Sequence, residues 1–288
     1  MGDAVVIWGE VLWDRFPDGD QLGGAPANVA WHLAQAGGWA QLVTRVGNDD
    51  DGRRALERLS MLVDTDLVQV DPDRATGEVT VRLEHGEPRY TLHPNRAWER
   101  IACTEAVKAA LAMAGVFLYG TLAQRTADGL DEWRHARDSA KCLRVCDLNL
   151  RPTDQYALAV SEALAAADIV KVNDRELAAL HDWLGWSDPI AKLCERSRVL
   201  VVTHGVAGST LYGEHGTIEL AGVPAPSGGD NVGCGDAYLA VLVYGLTSGW
   251  DLATSGRAAS RWAAAVAGVR GATPVFSDEQ VAELLEAA

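Results

Sequence analysis

Apolar runs of strand length alternate with segments of helical periodicity along most of the chain. The runs occupy residues 5–8, 41–46, 116–119, 144–148, 169–172 and 199–203. The helical segments occupy residues 26–35, 104–114, 127–140, 155–166 and 175–184. Because the strands are apolar throughout, both faces of their sheet should be covered by helices. The sequence therefore predicts an α/β fold with a central, mostly parallel β-sheet between two layers of helices.

Two stretches interrupt this alternation and predict a small second sheet. Residues 78–84 alternate apolar and polar side chains and lead through a turn into another short run, as in an antiparallel hairpin. Residues 12–22 contain a turn of their own and could join that hairpin. A small sheet that projects from an α/β body is typical of a lid. We assign an antiparallel β lid to approximately residues 12–24 and 76–97.

The remaining segments complete a single domain over residues 1–288. A second hairpin, formed by residues 209–212 and 217–220, is expected to close the far edge of the main sheet. The last third of the chain has helical periodicity, over residues 235–249, 251–269 and 277–288.

Composition and charge exclude several classes of protein. The 288 residues are 48% hydrophobic and 23% charged, which excludes disordered, collagen-like and coiled-coil chains. The net charge of −15 would repel a phosphodiester backbone, so we expect no nucleic-acid partner. No apolar run approaches the ~20 residues of a membrane span. The first residues, MGDAVVIWGE, lack the parts of an export signal, so we expect a cytoplasmic protein without a membrane partner.

The cysteines indicate reduced thiols rather than a disulfide framework or a zinc site. There are five of them, with no CxxC pair and no cysteine–histidine cluster at zinc spacing. They are Cys103, Cys142, Cys146, Cys194 and Cys234.

Two familiar nucleotide-binding signatures are absent from the sequence. No G-x-x-x-x-G-K-[ST] run occurs, which excludes a Walker-type phosphate loop. No G-x-G-x-x-G run opens a helix after a strand, which argues against a dinucleotide-dependent dehydrogenase. A phosphate site in this chain must therefore be built in another way.

The run of residues 230–236, DNVGCGD, predicts an anion site at a helix N-terminus. Gly233 and Gly235 bracket Cys234 at the start of an apolar helix, where free backbone N–H groups and the positive end of the helix dipole converge. Asp236 lies in the first turn of that helix. One interpretation of Asp236 is an acid that only complements the dipole. The other is a general base that accepts a hydroxyl proton while the N–H groups hold a phosphoryl group.

A second glycine-containing run, GGAPANVA at residues 23–30, also opens a helix. Alone it is an ordinary entry from a loop into a helix, with proline near the first position. Asn28 near its start can both donate to and accept from a hydroxyl group. Asp14, which follows the first strand, is a second hydroxyl acceptor or, alternatively, a solvated loop acid.

With these runs in view, the chain resembles the ribokinase-like carbohydrate kinases of the phosphofructokinase-B type, and most of all their fructokinase branch. The likeness covers essentially the whole chain, and the motifs come in the order of the family. They are Gly9-Glu10 with Asp14, then residues 23–28, 47–49, 147–151, 173–176, 203–208 and 230–236, and finally Gly271-Ala272. The resemblance implies a ribokinase-like fold.

The resemblance also implies roles for the residues that would meet the sugar. Asp236 matches the catalytic base, and Gly233, Cys234 and Gly235 match the anion hole, although the middle residue of the hole is usually alanine. The positions expected to bind the sugar are Asp14, Gly24, Asn28 and Asn149. His93 is added to them because a polar side chain on the lid side suits a polyol.

A second set of residues would meet ATP and its ions. The positions expected near the nucleotide are Asn173, Thr203, Gly205, Gly208, Ser260 and Arg151, Ser260 replacing an asparagine common in the family. Glu176 is expected to hold Mg²⁺ through water, with half of a helix cap as the alternative. Asp230 is expected beside a monovalent cation. Because Asn231 replaces the usual threonine, the sequence does not decide between a potassium site at this loop and its absence.

The implied activity is transfer of the γ-phosphoryl group of ATP to a sugar hydroxyl, with Mg²⁺ and possible K⁺ dependence. Fructose is the first expectation for the sugar, and ribose, 2-keto-3-deoxygluconate or a nucleoside are alternatives. A non-catalytic sugar-binding protein on the same scaffold is a further alternative. In the family that the chain resembles, lid strands often pair between subunits, and residues 78–93 would leave such an open edge. The resemblance thus implies a homodimer through the lid as one arrangement, and an interface formed by helix faces stays open as the alternative.

Overall fold

The central sheet of the protein is assembled from strands spread over most of the chain. The computed structural model describes residues 4–17, 19–84, 87–150 and 156–286. The described strands are β1 (Val5–Trp8), β2 (Leu12–Phe16), β3 (Gly19–Gly23), β4 (Ala40–Val43), β5 (Arg45–Gly47), β6 (Gln69–Asp71), β7 (Gly77–Glu84), β8 (Glu87–Leu92), β9 (Val116–Tyr119), β10 (Leu143–Asp147), β11 (Ile169–Asn173), β12 (Val199–Thr203), β13 (Gly208–Gly213) and β14 (Gly216–Ala221).

Helices separate most of these strands. The described α-helices are α1 (Ala25–Gln35), α2 (Asp50–Leu59), α3 (Glu105–Met113), α4 (Ala127–Ser139), α5 (Ala157–Ala166), α6 (Asp174–Leu184), α7 (Pro189–Cys194), α8 (Cys234–Thr247), α9 (Leu252–Ala267) and α10 (Asp278–Leu285). Among the described residues, none of the helices combines the length and apolarity needed to span a bilayer.

The main sheet has eight strands in the order β14-β13-β12-β11-β10-β9-β1-β4. The six strands from β12 to β4 run parallel, while β13 and β14 are antiparallel additions at one edge. The prediction of a mostly parallel sheet closed by a late hairpin is therefore confirmed.

The sheet lies between two layers of helices, as the apolar strands predict. Val5 and Ile7 of β1 point into a core shared with α1, α2, α8, α9 and α10. Val6 and Trp8 point into the opposite core, which is shared with α3 to α7. Alternate residues of one strand thus serve both layers, and the three-layer α/β/α prediction is confirmed.

Three elements differ from the sequence-based prediction. The run at 41–46 divides at Thr44 into β4 and β5, and β5 pairs in parallel with β6, which the prediction lacks. Helix α2 is also absent from the prediction, because its sequence DDGRRALERL is strongly charged and buries only Gly52, Ala55 and Leu59. Helix α7 was missed because it is only six residues long.

The lid is a four-stranded sheet in the order β3-β2-β7-β8. The pairs β2–β3 and β7–β8 are antiparallel hairpins, as predicted. The contact between the hairpins, β2 with β7, is parallel, so the lid is a mixed sheet rather than an antiparallel one. Because α1, β4 and α2 lie between the hairpins in the chain, no tight turn sets their relative direction, and the sequence could not reveal it.

Asp49 connects the second lid segment to the body of the protein. Its carboxylate caps α2 by accepting from Gly52 N at 2.8 Å, and it accepts from the Thr76 backbone N at 2.8 Å and the Thr76 hydroxyl at 2.6 Å. The Thr76 hydroxyl also accepts from Gly47 N at 2.9 Å. Since β7 begins at the next residue, this network fixes the point where the lid leaves the body.

We expect Asp49→Ala to lower the free energy of unfolding by about 1–2 kcal/mol at pH 7, because the helix cap and the contacts with Thr76 are lost. Burial acts to raise the pKa of Asp49, but the hydrogen bonds from Thr76 and Gly52 outweigh it and lower that pKa. The contribution is thus present above about pH 4 and is lost as the pH falls through the lowered pKa. Denaturant unfolding from pH 7 to pH 3 should show the two proteins converging in acid.

The matched control is Asp50→Ala, at the neighbouring exposed carboxylate of the same helix turn. It should change the free energy of unfolding by less than about 0.5 kcal/mol. Equal effects of the two substitutions would contradict the role given to Asp49.

Candidate active site

Several of the predicted site residues lie at the carboxyl edge of the parallel strands. β1 ends just before Gly9 and Glu10, and β10 ends at Asp147. Helices α1 and α8 both begin at this edge, after Gly24 and Gly233. Ligands of open α/β sheets bind outside the carboxyl ends of the strands, so this edge is suited to a small-molecule site.

Gly233 shapes the start of α8. It is the N-cap residue in a left-handed conformation, φ 76°, and no side chain caps the helix there. A Cβ atom at Gly233 would lie 2.7 Å from the Ala272 Cβ and 2.8 Å from its Cα. Glycine is therefore required for both conformation and space, and no side chain in the described part of the chain caps Gly233 at the start of α8. Backbone N–H groups at a helix start favour an anion.

Asp236 is joined to the helix that carries the predicted sugar contacts. The Asn28 Nδ2 donates to Asp236 Oδ2 at 2.8 Å, across 208 residues of sequence. Asn28 is 5% exposed, and its Oδ1 has no hydrogen-bond partner among the described residues. Because an unsatisfied buried carbonyl is costly, the Oδ1 atom is a ready acceptor for a ligand hydroxyl.

The start of α1 brings Gly24 close to Glu10, and the preceding Gly23 close to Asp14. Gly24 has φ 104°, and a Cβ there would lie 2.4 Å from the Glu10 carbonyl oxygen. The buried Glu10 side chain accepts from Ala25 N at 3.3 Å and so holds the first turn of α1. At Gly23, a Cβ would lie 2.4 Å from Asp14 Oδ2. The Asp14 carboxylate thus rests on the glycine pair that opens α1.

His93 lies apart from Asp14. The strand register pairs Asp14 with Val79, and Val79 with Leu92, on one face of the lid. His93 follows Leu92 and contacts the Thr80 hydroxyl through Nε2 at 2.8 Å, on the opposite face. The structure therefore does not bring His93 together with the other predicted sugar contacts. The sequence alone does not show on which face of the lid His93 lies, because this depends on the register of β7 and β8.

Glu176 has the helix-cap geometry that the sequence analysis gave as its alternative role. It forms a capping box with Asn173 at the start of α6, accepting from Asn173 N at 2.9 Å. Its other oxygen accepts from Leu150 N at 3.0 Å. Burial raises the pKa of Glu176, and the charge of Lys171 opposes that rise. Both carboxylate oxygens are thus engaged by backbone donors.

The predicted nucleotide residues lie on neighbouring elements. Thr203 ends β12, and a short turn from Gly205 leads to Gly208. Gly208 is tightly enclosed, since a Cβ there would lie 2.0 Å from the Leu220 carbonyl oxygen, whereas Gly205, at φ 60°, faces open space. Ser260, on α9, donates to its own helix at the Gly256 carbonyl, 2.9 Å away.

His204, which the sequence analysis missed, holds this turn in place. Its Nδ1 lies 2.8 Å from Asp174 Oδ1, and its Nε2 lies 2.9 Å from the Thr210 hydroxyl. The turn is thereby tied to the first residue of α6.

Asn149 and Asp230 complete the described predictions, and Arg151 lies outside the described residues. Asn149 follows β10 in a left-handed conformation, φ 37°. Asp230 accepts from Val232 N at 3.1 Å and from Gly271 N at 3.2 Å, so it fastens its loop to the segment before Ala272. Whether a monovalent cation binds there stays a prediction.

The described residues fit Mg²⁺ in the way that phosphoryl-transfer sites usually bind it. Among them there is no cluster of three or more histidine, cysteine or carboxylate side chains that could enclose a metal. Asp147 is 2% exposed, and its Oδ2 has no hydrogen-bond partner among the described residues. Mg²⁺ is commonly held by one or two carboxylates together with phosphate oxygens and water, for which Asp147 is suitably placed.

Lys171 was also missed by the sequence analysis. It is 5% exposed on β11, and its Nζ donates to Asp147 Oδ1 at 2.9 Å. Burial acts to lower the pKa of Lys171, but Asp147, Glu176 and Asp236 together raise it above its usual value. The available signal was a lysine inside the apolar run IVKV, where a charge requires a buried partner.

The segment behind Gly233 is held by buried aromatic and histidine side chains. Trp262 Nε1 donates to His32 Nδ1 at 3.1 Å, and His32 Nε2 lies 2.8 Å from the Ala272 carbonyl oxygen. Burial lowers the pKa of His32 to about 4, against a smaller opposing effect of the bond to Ala272. His32 is thus neutral, accepts at Nδ1 and donates at Nε2, which fixes Ala272 against Gly233.

Comparison with known proteins finds carbohydrate kinases among the proteins similar to this chain. A family model described as pfkB family carbohydrate kinase matches residues 19–279. A fructokinase of Klebsiella pneumoniae is 28% identical over 283 residues, covering 86% of this chain and 86% of that protein.

Solved structures show the same fold. Fructokinase from Xylella fastidiosa with bound ATP superposes with a TM-score of 0.89 at 23% identity, covering 99% of this chain and 98% of that one. Fructokinase from Vibrio cholerae O395, in its form with fructose, ADP and calcium ion bound, gives a TM-score of 0.83 at 24% identity and covers 99% of both chains.

We expect Gly233→Ala to lower the free energy of unfolding by about 2–4 kcal/mol, because it adds a left-handed alanine and a clash with Ala272. Gly228→Ala is the matched control, since Gly228 also has a positive φ but no atom within 4 Å of an added Cβ. Gly228→Ala should lower the free energy of unfolding by only about 1–2 kcal/mol. Denaturant unfolding of both variants measures the difference, and equal costs would show that Ala272 does not pack on Gly233.

Proposed function

Because the chain belongs to the pfkB family of carbohydrate kinases, we propose that this sugar kinase transfers the γ-phosphoryl group of ATP to a hydroxyl group of D-fructose. The observation that carries the proposal is the hydrogen bond from Asn28 to Asp236. It joins a polar helix start suited to a sugar with an uncapped helix start suited to a phosphate. The fructokinases among its relatives support fructose as the acceptor.

In this proposal each part of the site has one task. Asp14, Gly24, Asn28 and Asn149 orient the sugar, and the backbone N–H groups of residues 233–235 hold the transferring phosphoryl group. Asp236 accepts the hydroxyl proton as the sugar oxygen bonds to the γ-phosphorus. The bond from that phosphorus to the bridging oxygen breaks, and ADP leaves. The described lid would keep out water, which would otherwise hydrolyse ATP.

ATP and its ions would lie on the side of β11 and β12. We assign Asn173, Thr203, Gly205 and Gly208 to the nucleotide, with Ser260 near the base. Mg²⁺ would neutralise phosphate charge beside Asp147, and Glu176 would support this region as a helix cap. The same proposal includes a monovalent cation at Asp230, a homodimer formed through the edge strand β8, and a location in the cytoplasm.

The test of the substrate is ATP turnover with D-fructose, D-ribose, 2-keto-3-deoxygluconate and a set of nucleosides. The proposal predicts the highest kcat/KM for fructose. A higher kcat/KM for another sugar or for a nucleoside would identify that compound, instead of fructose, as the substrate. Absence of turnover with every acceptor would favour a non-catalytic sugar-binding protein.

Asp236→Asn is expected to reduce kcat by at least about 100-fold, because an amide cannot accept the hydroxyl proton. Thermal shift with ATP and with sugar should still show binding, since size and position are kept. Asp251→Asn is the control, at the exposed N-cap of α9, and should turn over like the wild type. A stable, ligand-binding Asp236→Asn variant with near wild-type kcat would refute the general-base assignment.

A further inference from the structure

One face of α1 contacts the start of α8 at two places. Asn28 and His32 are four residues apart on α1, so both side chains leave the helix on the same side. The Asn28 Nδ2 donates to Asp236 Oδ2 at 2.8 Å, in the first turn of α8. One turn further along α1, the His32 Nε2 lies 2.8 Å from the Ala272 carbonyl oxygen, behind the same helix start.

Ala272 transmits the second contact, because it lies against the N-cap residue of α8. A Cβ at Gly233 would lie 2.7 Å from the Ala272 Cβ and 3.0 Å from its carbonyl oxygen. Ala272 is itself buried. The oxygen atom that His32 holds is therefore part of the surface on which the start of α8 packs.

The partners of His32 allow one arrangement of its ring. Trp262 Nε1 can only donate, so His32 Nδ1 accepts from it, at 3.1 Å. The Ala272 carbonyl can only accept, so Nε2 carries the proton. The His32 and Trp262 side chains are fully buried, and a rotated ring would leave a buried donor and a buried acceptor unpaired. His32 is thus a rigid spacer between α9 and Ala272.

Other side chains of α1 hold the chain beyond Ala272. Gln35 donates to the Pro274 carbonyl oxygen at 3.2 Å and accepts from Phe276 N at 2.6 Å. The Trp31 Nε1 also donates to the Pro274 carbonyl oxygen, at 3.0 Å. These contacts anchor residues 274–276, whereas the contact of His32 is made at the residue that packs on the start of α8.

We propose that His32 is a positioning residue for phosphoryl transfer, which sets where the first turn of α8 lies relative to α1. The inference rests on the proposed function, in which Asp236 meets the sugar hydroxyl and residues 233–235 hold the phosphoryl group. The contact of Asn28 with Asp236 fixes one point, about which the start of α8 could pivot. The contact through Ala272 removes that freedom, and the reacting oxygen and phosphorus stay in line.

The test compares kcat of His32→Leu with kcat of Gln35→Leu, each measured well below its unfolding midpoint. His32→Leu removes the bonds to Trp262 and Ala272 and should lower kcat by at least about 10-fold, since a displacement of ~1 Å can cost about 100-fold in rate. The KM for the sugar should change by less than about 2-fold, because Asn28 and the other sugar contacts are kept.

Gln35→Leu is the matched control, since it removes hydrogen bonds between the same helix and the same segment, but beyond Ala272. It should lower stability and keep kcat. His32→Gln is the conservative variant, because a carboxamide can accept from Trp262 and donate to Ala272, and it should restore most of the lost kcat. An unchanged kcat in His32→Leu, or an equal loss in all three variants, would overturn the proposal.

Ala272→Gly tests the same contact from its other side. It removes the methyl group that packs on Gly233 and keeps the carbonyl oxygen that His32 holds. Its kcat should fall by at least about 3-fold with an unchanged KM for the sugar. Combined with His32→Leu, the loss should be smaller than the product of the two separate losses, because both act through one contact. If His32→Leu does not fold, a wild-type kcat in Ala272→Gly would overturn the proposal.

A second readout does not depend on turnover. ADP lacks the terminal phosphate that residues 233–235 would hold, so calorimetric titration with ADP and with a non-hydrolysable ATP analogue, both with sugar present, isolates that phosphate. In His32→Leu the analogue should bind more weakly while ADP binds as in the wild type, and Gln35→Leu should leave both unchanged. Wild-type affinities in His32→Leu would overturn this inference alone. A wild-type protein that phosphorylates no acceptor would instead refute the proposed function.

Discussion

The hydrogen bond from Asn28 to Asp236 is the interaction on which the arrangement of the site depends. It connects the first turns of α1 and α8, whose sequences are far apart and whose starts both require glycine, at Gly24 and Gly233. Since each helix start lies at the carboxyl edge of the sheet, joining them brings an amide, a carboxylate and backbone N–H groups close together. Neither helix start alone has the groups that the proposed phosphoryl transfer requires.

Packing behind this contact gives it a fixed position. His32 and Trp262 hold the carbonyl group of Ala272, and Ala272 in turn closes on Gly233. Beneath the same turn, Lys171 and Asp147 form an almost fully buried ion pair. Because these supports are buried and satisfied by specific partners, the first turn of α8 needs little reorganisation to receive a charged group, which is the condition for electrostatic catalysis.

Much of this could be predicted from the sequence, and the exceptions have physical reasons. The alternation of apolar strands with helical segments predicted the sheet and both helix layers, because strands that are apolar on both faces must be covered on both faces. The direction of β2 against β7 escaped prediction because it is a long-range pairing with no local signal. Motif order predicted the glycine turns and Asp236. Lys171 and His32 were missed, because their partners are brought together only by the fold. His93 lies on the other face of the lid from Asp14, which only the strand register reveals.

The most direct test of the account is a crystal structure with fructose and a non-hydrolysable ATP analogue bound. The account predicts a sugar hydroxyl within about 3.2 Å of an Asp236 carboxylate oxygen, the distance required of a general base. It also predicts the terminal phosphate on the backbone N–H groups of residues 233–235. A complex in which that phosphate lies away from the first turn of α8, or in which Asp236 contacts no hydroxyl of the sugar, would contradict it.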